Sequence, residues 1–188
     1  MTITIFGKGN MGKAIGGNFE KAGQKVVYAG HDFKDALGDI VVLAVPYGAV
    51  DSILEAHKAE LSGKVIIDIT NPIDFSTMDS MVVPADSSAA AEIQKKVPEA
   101  KVVKGFNTTF AATLVSGKVG DNVTTVLLAS DSKEAKEEVA KALDGGGLAV
   151  KDAGALKRAR ELEAMGFLQI TMAVREQFGW TGGFAVIQ

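Results

Sequence analysis

The residues with the clearest chemical potential form the segment Gly7-Lys8-Gly9-Asn10-Met11-Gly12, spaced as G-x-G-x-x-G. It follows the β-branched run Ile3–Phe6. It precedes a stretch whose apolar residues Ala14, Ile15, Phe19 and Ala22 share one helical face, which Gly23 stops. In a strand–turn–helix context this spacing suits the pyrophosphate of a dinucleotide. Gly7 permits the tight turn, Gly9 lets main chain approach the phosphates, and Gly12 lets the helix pack close to the strand. The free amides and dipole of a helix start favour the anion. Gly7, Lys8, Gly9, Asn10 and Met11 are therefore the expected phosphate-side residues. The segment is also one residue from the P-loop pattern G-x-x-x-x-G-K-[ST], with Val65-Ile66-Ile67-Asp68 resembling an acidic strand. Ala14 stands where that loop needs a metal-binding hydroxyl, which argues against a triphosphatase.

Further candidates follow other strand-like runs. Tyr28-Ala29-Gly30-His31-Asp32-Phe33-Lys34 holds an acid suited to ribose hydroxyls and two groups suited to a 2′-phosphate. Gly30, His31 and Lys34 favour NADP over NAD, with Asp32 as the opposing signal. Ala44-Val45-Pro46-Tyr47, Asn71-Pro72 and Asn107-Thr108 also follow strands directly. Ligands bind beyond the carboxyl ends of strands in an open α/β sheet, so these segments should meet along one edge. The amides of Asn71 and Asn107 can bond a ribose or a carboxamide. A plain turn accounts equally well for Pro46, and an Asn-Pro turn for Asn71. Asp68 is expected to be buried and paired with a backbone amide or with Lys64, and His57 to be solvated on a surface helix.

These segments need a scaffold. The strand-like runs are Ile3–Phe6, Lys25–Ala29, Ile40–Val45, Val65–Ile69, Val102–Lys104, Thr124–Ala129 and Leu148–Lys151. Continuous apolarity in Ile40–Val45 means that both faces are covered, as in a central parallel strand. Helices are expected after Gly12, at Ala89–Val97 (capped by Ser87 or Ser88 and ended by Pro98), at Lys133–Leu143 and from about Leu156 to Gln177. Met78 to Asp86 is the least regular stretch and reads as a mobile loop. The predicted fold is α/β: a doubly wound, mostly parallel sheet, the NAD(P)-binding Rossmann fold. About ten residues separate Lys25–Ala29 from the next strand, so the first half is expected to lack its third strand. Residues 1–188 read as one domain.

Composition narrows the chemistry. Of 188 residues, 47% are hydrophobic and 23% charged, which is globular usage rather than disorder. A net charge of -3 gives no footprint for nucleic acid or anionic membrane. The chain has no cysteine and two histidines, so thiolate or histidine-rich metal sites and cysteine nucleophiles are excluded. The N-terminus has no basic leader, and apolar runs fall far short of the ~20 residues of a membrane helix. A cytoplasmic location is expected, with no metal, nucleic acid or membrane partner. A homodimer would use the apolar C-terminal helix.

Five separated segments together resemble the coenzyme F-420-dependent NADP oxidoreductase family. They are Ile5–Gly12; Val42-Leu43-Ala44-Val45-Pro46-Tyr47; Gly63-Lys64 to Asn71-Pro72; Lys104-Gly105-Phe106-Asn107-Thr108; and Asp152 to Glu163, which matches a D-x-G-x-L-x-x-A-R-x-L-E pattern. The chain departs from the family at Gly30-His31, where a serine–arginine pair is usual, and at Ala155, where a proline is usual. The resemblance implies a small Rossmann protein that passes hydride between NADP(H) and a deazaflavin; a flavin is the acceptor in ferric-reductase relatives. Hydride transfer needs positioning rather than an acid–base pair, and neither Tyr28 nor Tyr47 has the lysine four positions on that a short-chain dehydrogenase requires. A non-catalytic NADP(H)-binding redox sensor is the alternative. Trp180 and Phe184 are expected in the core or at a dimer contact, or stacked on a flat acceptor ring.

Overall fold

The computed structural model describes residues 1–30 and 32–187. Its centre is a seven-stranded sheet of β1 (Thr2–Phe6), β2 (Lys25–Ala29), β3 (Ile40–Leu43), β4 (Val65–Asp68), β5 (Lys101–Lys104), β8 (Thr125–Ala129) and β9 (Ala149–Gly154), in the spatial order β2-β1-β3-β4-β5-β8-β9. β6 (Lys118–Val119) and β7 (Asn122–Val123) form a small separate hairpin. The first five strands of the sheet are parallel. β8 pairs antiparallel with β5, and β9 follows β8. β2 lies at one edge, and the chain after it crosses to pair Ile40 with Ile3 on the far side of β1.

The helices are α1 (Asn10–Lys21), α2 (Val50–Leu61), α3 (Ala89–Lys96), α4 (Ala111–Ser116), α5 (Lys133–Leu143) and α6 (Ala159–Val174). Continuous apolarity in the central strands has the expected cause. Successive side chains point to opposite faces, and each face has its own core. Ile40, Val42 and Ile67 pack with Ile15, Phe19 and Val139 of α1 and α5. Val41, Leu43 and Ile66 pack with Leu54 and Ile93 of α2 and α3. Full burial of such a side chain stabilises the fold by about 1.5–3 kcal/mol, so a strand covered on both sides is strongly held.

Several boundaries differ from the sequence reading. β3 stops at Leu43 rather than Val45, and β4 stops at Asp68 rather than Ile69. The C-terminal helix begins as a short 3-10 turn at Leu156–Arg158 and ends at Val174, not Gln177. The crossing from β2 to β3 is held from below by Lys64, whose Nζ donates to the carbonyls of Leu37 (3.1 Å) and Gly38 (2.9 Å). Residues 74–81 form a turned segment, closed by a bridge between Ile73 and Met81 and by Asp74, which accepts from the amide of Ser76 at 2.9 Å. Among the described residues, no helix is long and apolar enough to cross a membrane.

Candidate functional site

The glycine loop sits where β1 gives way to α1, and its glycines divide into two kinds. Gly7 has φ +111°, and a Cβ there would lie 2.1 Å from the Ala44 carbonyl oxygen; one at Gly12 would lie 2.2 Å from the Gly7 oxygen. Both positions are closed to any side chain by neighbouring backbone. Gly9 has an unstrained backbone (φ -74°), and no atom lies within 4 Å of where its Cβ would be. Its small size leaves open space in front of the loop.

That space faces a helix start with donors to spare. The first helical bond runs from Lys13 N to Gly9 O (3.0 Å), and no side chain caps α1. Among the described helices of eight or more residues, α1 alone has no acidic residue in its first turn. In α3 and α5, by contrast, Ser88 and Ser132 accept from backbone amides, and Glu92 and Glu134 add a compensating charge. An uncapped, uncompensated N-terminus is matched to an anion.

A cavity lies on each side of the loop. One, of about 290 Å³, is lined by Gly7, Lys8, Gly30, Val45, Ile53 and His57. The other, of about 470 Å³, is lined by Asn10, Met11, Asn71, Asn107, Phe110 and Trp180. The candidates thus gather along the strand ends in two groups bridged by Gly9. Ala44 lies beneath Gly7. Pro46, Tyr47, Pro72, Thr108 and Lys34 line neither cavity; Lys34 is exposed, whereas Pro72 and Thr108 are buried. Burial, followed by the carboxylates of Asp51, Glu92, Asp68 and Glu163, raises the pKa of the Tyr47 phenol, which stays protonated at neutral pH. His31 lies outside the described residues.

One expectation needs correction, and one is met with a different cation. His57 is not solvated: it is 8% exposed, its ring centroid is 5.1 Å from that of Phe6, and its Nδ1 lies 3.2 Å from Glu60 Oε1. That hydrogen bond is the largest of the effects lowering the Glu60 pKa. One imidazole edge thus faces a surface carboxylate while the ring completes an aromatic wall with Phe6 and Phe33. Asp68 does accept from a backbone amide, that of Thr70 (2.9 Å), but its cation is Lys104 rather than Lys64. Lys64 is occupied by the β2–β3 crossing.

Lys104 is the centre of a fully buried cluster. Its Nζ lies 2.8 Å from Asp68 Oδ2 and 2.8 Å from Glu163 Oε1, and it also donates to the carbonyl of Thr70. Glu163 in turn accepts from the amides of Ala89 (2.8 Å) and Ala90 (3.2 Å) at the start of α3. Burial raises the pKa of the Glu163 carboxyl, and Lys104 opposes that shift. The charged residues of three separate motifs therefore meet at one point, tying β4, β5, α3 and α6 together.

Beside this cluster the two asparagines hold each other. Asn107 Nδ2 donates to Asn71 Oδ1 (2.9 Å) and to the carbonyl of Leu162 (2.8 Å), and Asn71 Nδ2 donates to the carbonyl of Asn107 (3.0 Å). Both donors of Asn107 and one of the two of Asn71 are thus spent within the fold. Among the described residues, Asn107 Oδ1 is buried with no hydrogen-bond partner, and Asn107 is one of the residues lining the second cavity. The turn carrying it is strained, since Phe106 is fully buried with φ +62°.

Sequence reasoning missed the inner face of α6. Glu163, Gly166 and Gln169 recur every third residue, and all are buried. Gly166 lets the helix approach the asparagine pair, since a Cβ there would lie 2.3 Å from Asn71 Oδ1. A glycine inside a long helix costs about 1 kcal/mol relative to alanine, and that was the available signal. Trp180 is not core: it is 52% exposed, with its ring centroid 4.9 Å from that of Phe110.

Residues 30–72 match the family model described as NADP oxidoreductase, coenzyme F420-dependent. The chain is 31% identical to the F420-dependent NADP reductase of Methanocaldococcus jannaschii over 163 residues, covering 81% of this chain and 71% of that protein. It is 32% identical to the metalloreductase STEAP3 of Rattus norvegicus over 106 residues, 56% of this chain and 20% of that one. Among solved structures, an Arthrobacter sp. FB24 protein assigned provisionally as an F420-dependent NADP reductase superposes with a TM-score of 0.85. The identity is 25%, and the match covers 100% of each chain.

Proposed function

The chain belongs to the F420-dependent NADP reductase family, and from that premise we propose that this NADP-dependent oxidoreductase exchanges hydride between NADP(H) and a flat deazaflavin or flavin ring. The observation that carries the reading is the uncapped start of α1, open at Gly9 and flanked by a cavity on either side. A dinucleotide has that shape: a diphosphate between two ring systems.

The residues present fit such a cofactor. The amides following Gly9 would hold the diphosphate, with Gly7 and Gly12 keeping the turn tight. The smaller cavity would take the adenosine end, where Ile53 and the His57–Phe6 wall offer an apolar face. Lys8 beside Gly30 supplies a cation for a 2′-phosphate, which favours NADP over NAD. The larger cavity would take the nicotinamide end, with the buried, unpartnered Asn107 Oδ1 as the acceptor its carboxamide would reach if the side chain turned toward the cavity. When bound, NADPH supplies the hydride. The protein orients it and keeps water away, using Met11, Ile69 and Phe110 as the apolar lining. Lys34, Pro46, Tyr47, Pro72 and Thr108 then act by shaping the strand-end turns rather than by touching the rings.

The test is a screen of NADPH and NADH oxidation against a 5-deazaflavin, FMN and ferric complexes, run with a binding titration of NADP⁺. The expected result is turnover with a tricyclic ring and a preference for NADPH over NADH of at least roughly tenfold, the value of one good charge-assisted contact. Tight NADPH binding with no turnover on any acceptor would instead make the chain a non-catalytic binding module.

A further inference from the structure

After α6 ends at Val174, the chain folds back, and two of its aromatic residues pack on Phe110 in the wall of the second cavity. Phe178 and Trp180 both pack on Phe110, with ring centroids at 6.4 and 4.9 Å, and Phe184 packs on Phe178 at 6.3 Å. The segment is pinned to α6 by Gln169, which is 1% exposed and whose Oε1 accepts from the amide of Phe184. Phe110 itself is buried and follows the turn that carries Asn107. The indole of Trp180 is therefore docked on a fixed platform, yet 52% of the residue is exposed, and it lines the cavity shared with Met11 of the glycine loop. Phe75, 66% exposed, lines the same cavity from the turn after β4.

Resting on the reading above, we propose that Trp180 holds the acceptor by stacking on its tricyclic ring, with Phe75 as a second aromatic contact at the same cavity. Two large apolar rings exposed at one cavity carry an unfavourable hydration that stacking against a flat partner would relieve. Continuity with the glycine loop identifies the occupant. A ring seated against Trp180 shares the cavity assigned to the nicotinamide end, where hydride transfer requires it to be. Flavin and deazaflavin present the same face to an indole, so the stacking itself does not choose between them.

The test compares wild type, W180A and W180F. Replacing Trp180 by alanine should raise the KM for FMN or a 5-deazaflavin by roughly five- to tenfold, the value of one aromatic stack. The KM for NADPH should rise much less than that for the acceptor, and W180F should recover most of the loss. Separate FMN and deazaflavin arms show which ring is used. An unchanged acceptor KM in W180A overturns the proposal, as does a change in self-association as the only effect. If wild type binds NADP⁺ but turns over neither ring, the hydride-transfer reading fails by itself. Titration of each ring into NADP⁺-loaded protein, followed by ring emission, then decides the inference: saturable binding weakened in W180A supports it, and binding that is absent or insensitive to W180A sinks it.

Discussion

The glycine loop and the Asp68–Lys104–Glu163 cluster use polar groups in opposite ways. At the loop, the first-turn donors of α1 have no side-chain cap and no nearby acid, and the space before Gly9 is empty. In the cluster, one ammonium meets two carboxylates and a carbonyl, and Glu163 also takes two helix-start amides, all sealed from water. Free groups at the surface can bind a ligand; satisfied groups in the interior can only hold elements in place. The difference separates binding motifs from scaffold motifs, although Gly7, Asp68 and Lys104 all stand at the carboxyl ends of parallel strands.

The largest expected effect tests the cluster. Lys104→Met leaves two carboxylates buried without their cation, and removing one partner of a buried ion pair costs about 3–5 kcal/mol. Denaturant unfolding should show a loss of that size. A K104M protein of near wild-type stability that had lost NADP⁺ binding would place the cluster on the ligand side of the comparison. At the loop the pattern should reverse. Gly9→Ala meets no atom and keeps an allowed backbone. Its stability should stay within about 0.5 kcal/mol, because lower unfolded-state entropy and a poorer cap offset each other. Its NADP⁺ dissociation constant should rise by roughly tenfold or more, since the methyl fills the phosphate approach. Isothermal titration on the folded variant checks this, and unchanged affinity would show that the diphosphate does not lie there.

The smallest effect concerns pH. Burial raises the Glu163 pKa above its ordinary 4.5, so the folded chain holds this proton more tightly than the unfolded chain. Its contribution is full below the ordinary glutamate range and is lost as pH rises through the raised value. Unfolding free energies measured at several pH values should therefore show the difference between wild type and Glu163→Gln shrinking as pH rises above 4.5. A flat difference would mean that the carboxyl titrates normally despite its burial.

Much of the scaffold was legible along the chain. β2 and α5 match their expected bounds, α5 because Ser132, Glu134 and Lys141 mark its ends with local signals. The loop glycines were readable because φ and the absence of Cβ are properties of single residues. His57 was misread because its helix suggested a solvated face, whereas Phe6 and Phe33, which enclose it, come from elsewhere in the sequence. That the asparagines hold each other was not legible, because their partners lie 36 and 55 residues away.

What the sequence determined by itself was local: where main chain can turn left-handed, where a helix starts or stops, and which runs are apolar on both faces. Those follow from sterics and periodicity within a few residues. The tertiary structure decided which polar groups remain available. Asp68 and Lys104 are 36 residues apart, and Ala89 and Glu163 are 74 apart. A donor's fate depends on what folding brings within 3 Å of it, and no window along the chain contains that information.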